Sequence, residues 1–164
     1  DHIIAGLEGA AFGADPRLDL EVLEQPMDHP AWSAKSGQLT LTSNGKSTVL
    51  HAFGPEDDRD RTMLPVNSPS ASVEGAIALS LTDLKVGDIL VTDASARQVL
   101  ARARAKGAAA VISASLFPFN VDPSGEDRHL DAIQFREMSP GTSVPVCQIS
   151  PRSSDPRPSR AQRR

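Results

Sequence analysis

Cysteine occurs once in the 164 residues, at Cys147. That count rules out an internal disulfide and any multi-thiolate zinc site. Tyrosine is absent, and aromatic residues make up only 4% of the chain. No stretch approaches the ~18 uninterrupted apolar residues that span a membrane. No N-x-[ST] sequon is present, so glycosylation says nothing about secretion. Position 1 is not Met, and no charged-then-apolar leader follows it, so the amino end reads as cut from a longer protein. A signal peptide already removed remains compatible with that reading. What is present is ordinary apart from 13 prolines: 39% hydrophobic residues, 23% charged residues and a mean hydropathy of −0.26. These values describe a soluble globular chain and exclude collagen, coiled coil and wholesale disorder. The length suits one domain of ~100–200 residues. A chain of this size buries roughly 70% of its unfolded surface, enough for a core without disulfides.

Charge is divided unevenly. Residues 1–150 carry 12 basic and 20 acidic side chains, whereas 151–164 carry five arginines against Asp155. That tail has one alanine as its only apolar residue and cannot bury enough surface to offset the entropy of ordering, so it reads as disordered. Its arginines suit an anionic contact, nucleic acid or a lipid headgroup, but with no aromatic among them to stack on bases the tail reads as a solvated end, and no nucleic acid partner is expected.

In the first half, Ile3, Ile4, Leu7 and Ala11 fall at helical spacing over residues 2–12, with Gly13 placed to end the helix. Leu18, Leu20 and Val22 alternate with charged residues as in a half-buried strand. A proline-punctuated connector, residues 25–30, precedes Trp32. Then Gln38-Leu39-Thr40-Leu41-Thr42 and Ser47-Thr48-Val49-Leu50-His51 flank Asn44-Gly45, the dipeptide best suited to a tight primed turn, and predict a hairpin. Residues 54–70 read as a loop.

In the second half, Val73 to Leu81 reads as a strand centred on Ala76-Ile77-Ala78-Leu79. Ile89-Leu90-Val91-Thr92 has the short apolar run of a buried strand. Asp93 is placed to cap a helix whose stripe is Ala96, Val99, Leu100 and Ala103, with Arg102, Arg104 and Lys106 in its last turn and Gly107 as its stop. Ala108 to Ser113 is a further apolar strand. This strand–helix–strand order predicts a parallel, right-handed βαβ unit. A long polar loop over 118–143 leads to Val144-Pro145-Val146-Cys147-Gln148-Ile149, whose proline suits an edge or a bulge.

Three of these segments in order, Gly87-Asp88-Ile89-Leu90-Val91-Thr92, the helix ending in Ala105-Lys106-Gly107-Ala108-Ala109-Ala110-Val111-Ile112, and Val144 to Ile149, resemble the protease-associated (PA) domain. That family's pattern is a "GKIVLV" strand, a helix ending "AxxxGAAAVI" and an "xPxxxI" strand. The likeness covers about residues 73–150. The preceding helix, strand, proline-rich turn and Leu-Thr-Leu-Thr hairpin resemble the lead-in to PA domains inserted in di-zinc exopeptidases of the bacterial aminopeptidase and glutamate carboxypeptidase type. The sequence lacks the family's Arg-Gly-x-Cys-type turn after the first strand, and its loop 115–143 is longer than usual. The resemblance implies an α/β, swivelling β/β/α architecture with a small curled mixed sheet and one or two flanking helices. It divides the chain into a lead-in segment, 1–70, belonging to or bordering a peptidase-like body; a PA-like domain, 71–150; and the basic tail, 151–164. It further implies a non-catalytic fragment of a zinc aminopeptidase-like protein, framing substrate access or mediating protein contacts. The implied partners are the parent's peptidase catalytic domain and a peptide or protein substrate. Zinc is expected only in that missing domain, and the resemblance leans towards an extracytoplasmic or secreted setting.

Tested for chemistry of its own, the chain offers no catalytic, cofactor-binding or metal-binding residues. A co-catalytic zinc site needs histidines, a bridging carboxylate and a glutamate base. Here His2, His29, His51 and His129 are the only histidines, and no Glu-Glu pair occurs. His129-Leu130-Asp131 matches the family's His-x-Asp spelling, but in a polar loop before the last strand. Asp122-Pro123-Ser124-Gly125-Glu126-Asp127 lacks the order of a calcium loop and reads as a turn. Ser113 and Ser115 lie in no G-x-S-x-G elbow. Cys147 sits in an apolar strand where thiols are inert. Trp32 reads as packing, and Arg97, Arg102 and Arg104 as a solvated helix face. Gly87 to Thr92 has neither glycine fingerprint of a phosphate loop.

Two alternatives to the PA reading remain. Gly87 to Thr92 also spells the "GDILVT" strand of phosphohistidine-type swivelling domains. That chemistry needs a histidine at a helix start with small neighbours, and only His129 lies downstream. The other alternative is a free-standing interaction module.

Overall fold

The computed structural model describes residues 32–117 and 129–154. The chain divides into two compact units, 1–31 and 32–164, and the fold described here is that of the second. The expected helix over 2–12 and strand over 18–22 lie outside the described residues, as do the connector at 25–30 and the 122–127 turn.

Strand β1 (Gly37–Ser43) and strand β2 (Lys46–Phe53) form the antiparallel hairpin expected from Asn44-Gly45. Both turn residues take positive φ, 52° and 73°, the requirement of a primed two-residue turn. The register shifts between Leu39 and Thr40, so Leu50 is an extra residue opposite them. Side chains 40–49 are exposed throughout, and only the base of the hairpin enters a core, through Leu39, His51 and Phe53.

The body is a four-stranded, wholly parallel sheet in the order β3 (Ile77–Ala78), β4 (Ile89–Thr92), β5 (Ala110–Ser113), β6 (Val146–Gln148). With the hairpin and two helices it gives an α/β fold containing one antiparallel and one parallel sheet. Helix α1 (Ala96–Ala105) links β4 to β5, as parallel neighbours require a crossover. Alternate residues of the strands face opposite sides. Leu90, Val111 and Val146 meet Ala96, Val99 and Ala103 of α1, together with Ala78, Leu84, Met138 and Val144. On the reverse face Ile112 and Ile149 pack with Ile89, Val91, Cys147 and Leu39 of the hairpin.

Several sequence expectations are corrected. The strand expected over 73–81 pairs only at Ile77–Ala78, because Ile77 and Leu79 are exposed and contribute nothing to a core. Asp93 does not cap α1: Ser95 holds the cap position, and no side chain bonds the helix's free N–H groups. Leu100 is half-buried at the core's margin, so Ala96, Val99 and Ala103 form the buried stripe. The segment 61–70 is the irregular connection expected, but it is firmly packed. Beyond the 3-10 turn Arg61–Met63, Met63 and Pro65 are fully buried, and Val66 bridges in parallel to Glu137. Ser68 Oγ accepts the Val146 N–H and donates to the Val146 carbonyl, both at 3.0 Å. This segment therefore packs with the body. The first tail residues are also ordered. Pro151–Ser154 forms a helical turn, α2, with Arg152 paired to Asp131 at 2.6 Å. The rest of the tail, 155–164, lies outside the described residues.

Other expectations hold. Pro145 immediately precedes β6, an edge strand, and its carbonyl accepts the Val111 N–H. Gly107 ends α1 with φ +77°, where a β-branched residue is strained. Among the described residues no helix is long and apolar enough to cross a membrane.

Candidate functional site

The carboxyl ends of β4, β5 and β6 carry Thr92, Ser113 and Gln148, paired in register across three adjacent strands on the face that meets α1. Thr92 Oγ1 accepts the Ala94 N–H at 3.1 Å, and Ser113 Oγ donates to the Ala94 carbonyl at 2.9 Å. Together they fix the turn that launches α1. Gln148 is 1% exposed, yet neither its amide oxygen nor its amide nitrogen has a hydrogen-bond partner. A buried amide left unpaired is costly and rare.

Two arginines border this edge. Arg97 projects from the first turn of α1 and donates from Nε to the Glu137 carbonyl at 2.8 Å. Arg136 donates from Nη2 to Ser115 Oγ at 2.9 Å and stacks with its guanidinium carbon 3.9 Å from the Phe117 ring centre. Burial first, and then the charge of Arg97, push the Arg136 pKa below the ordinary arginine value. Guanidinium groups remain protonated regardless.

A second polar pair lies at the base of the hairpin. His51, 8% exposed, approaches Asp60 Oδ2 through Nδ1 at 3.2 Å, and the same oxygen accepts the Ala52 N–H. His51 Nε2 is buried without a partner. Nearby, an open hollow of about 380 Å³ mixes Lys35 and Arg61 with Glu56 and Asp58 in its wall.

The residues weighed from sequence are scattered. His129 is exposed in a turn at φ 64° rather than at a helix start, and its neighbour Asp131 is engaged by Arg152. Among the described residues, no three His, Cys, Asp or Glu side chains come together as a metal-holding group. His2, His29 and the segment 122–127 lie outside the described residues. Ser113 and Ser115 hold backbone and Arg136 as described. Burial pushes the Cys147 thiol up to about 12, so at neutral pH it stays protonated and unreactive. Trp32 is half-buried, Arg102 and Arg104 are exposed, and Gly87 turns into β4 with φ +87°.

Arg136 and Gln148 escaped the sequence reading. A glutamine inside Val-Pro-Val-Cys-Gln-Ile, at a position alternating with Cys147 on the other face of the strand, is a usable signal. Arg136, in a polar loop, offered none.

No protein-family model matches this chain, and no curated protein or solved structure matches it either.

Proposed function

We propose that this chain carries a non-catalytic PA-like domain of the swivelling β/β/α type, part of a zinc aminopeptidase-like protein, which frames substrate access or mediates protein contacts. One observation carries the reading. The three segments that resemble the PA pattern form the adjacent parallel strands β4, β5 and β6, with α1 between the first two. On this reading the partners are a peptidase catalytic domain in the parent chain and its peptide or protein substrate, and zinc belongs to that catalytic domain.

The test has two parts. Purified chain supplied with zinc should hold no stoichiometric metal and should not hydrolyse a panel of aminoacyl reporters. Labelled chain titrated with a mixed pool of unstructured peptides should show saturable amide shifts confined to one surface. Turnover with tightly held zinc, or no peptide response at any concentration, defeats the reading.

A further inference from the structure

Arg97 and Arg136 are brought to one edge of the sheet, and among the described residues no carboxylate is set against them. Among the described residues the ion pairs are His51–Asp60, Arg59–Asp57 and Arg152–Asp131. Asp93, four residues before Arg97, and Glu137, next to Arg136, pair with neither. Both arginines are nonetheless positioned. Arg97 is tied to the Glu137 carbonyl and Arg136 is held by Ser115 and the Phe117 ring, while the buried Nε of Arg136 has no acceptor. Ordering two like charges beside each other is unfavourable unless something negative joins them.

The surroundings point the same way. Helix α1 is ten residues long, no side chain caps its amino end, and its first turn holds no acidic residue. Its dipole therefore adds positive potential beside Arg97. On the face of the sheet that meets α1 lies the fully buried Gln148 amide with both polar atoms unpartnered. It sits in register beside Ser113, whose hydroxyl bonds Ala94, two residues before the helix begins.

We propose that this edge binds an oxyanion, a carboxylate or phosphate group, held by the Arg97 and Arg136 guanidiniums at the first turn of α1. Guanidinium forks match both oxyanions in bidentate fashion, and helix amino ends favour them. The site is a property of this chain's own residues and stands whether or not the parent is a peptidase.

The experiment titrates the full chain, labelled so that arginine Nε–H signals are visible, with inorganic phosphate and separately with N-acetylglycine at constant ionic strength. The Arg97 and Arg136 signals should move together and saturate, and the melting temperature should rise with the bound probe. Response to phosphate alone assigns a phosphate ligand, and response to N-acetylglycine alone a carboxylate. Arg97→Gln should weaken binding about tenfold through loss of a charge-assisted contact. Arg97→Lys, which keeps the charge without the fork, should fall between that variant and the parent chain. Arg102→Gln, at the other end of α1, should bind normally. The proposal is overturned if neither probe moves the two signals saturably. It is overturned equally if the Arg97 variants bind like the parent chain, or if Arg102→Gln weakens binding as much as Arg97→Gln.

Discussion

The outer half of the hairpin and the β4–α1–β5 unit are both regular, but they are held by different forces. Side chains 40–49 are exposed on both faces of a two-stranded ribbon, so the ribbon's shape rests on its turn and its ladder. Two strands alone are marginal in water. In the body, β5 is buried at every position, and α1 and the hairpin base cover opposite faces of its sheet. Local turn chemistry can shape a ribbon without burying it, whereas short parallel strands persist only where apolar area leaves water.

Mutations should separate the two regimes. The largest effect is expected at Leu90, 1% exposed in the middle of the α1 face. Leu90→Ala should cost about 2–5 kcal/mol in chemical denaturation. That is a large share of a typical ~5–15 kcal/mol. An effect under the hairpin's own would mean that α1 is not what the sheet packs on. Gly107→Val should come next, at about 1–3 kcal/mol, because the substituted residue must hold a left-handed backbone. Its new Cβ would also meet Val86 Cγ2 at 3.1 Å. Gly107→Ala, lacking the β-branch, should be milder by the same measurement.

In the ribbon the effects should shrink. Val49 is 53% exposed. Val49→Ala should stay within about 0.5 kcal/mol, as surface substitutions do. A loss comparable to that of Leu90→Ala would reveal that something covers the ribbon. Smallest of all is the ion pair just beyond it. Hydrogen bonding from Arg59 holds the Asp57 carboxyl at about 2, below its ordinary 3.8. A depressed carboxyl pKa contributes stability above its unfolded value and loses it as pH falls through the folded one. Here that window runs from 3.8 down to about 2, and full exposure keeps the effect on folding negligible. The readout is instead the carboxyl signal itself, which in Arg59→Ala should titrate in the ordinary aspartate range. An unchanged titration would show that the pair does not form in solution.

The two regions also differ in how legible they were. The hairpin and its turn were readable because Asn44-Gly45 and the flanking alternation are local signals, but the bulge at Leu50 and the strand ends were not. Strands β4 and β5 and the stop at Gly107 were readable for the same reason, being short apolar runs bounded by turn residues. The failures share a different cause. The limits of β3, the half-burial of Leu100 and the order of Pro151–Ser154 all depend on neighbours that are distant in sequence. So does the packing of 61–70 against β6. At the candidate site Arg97 is exposed on the helix face as expected, but its bond to the Glu137 carbonyl, forty residues away, leaves no local signal. Gln148 announced itself only as a polar letter among apolar ones.

The bond pair between Ser68 and Val146 bears on how this sheet meets other chains. Strand β6 lies at one margin, and Val146 directs its N–H and carbonyl away from β5, where an incoming strand would dock. One serine hydroxyl occupies both groups and mimics the neighbour that is not there. At the opposite margin β3 offers only two residues. Open sheet margins invite edge-to-edge association, and short or blocked ones discourage it. The four-stranded sheet is thereby made a poor template for sideways strand addition at both margins. An extended peptide seeking backbone pairing would have to choose the exposed ribbon, β1 and β2, instead.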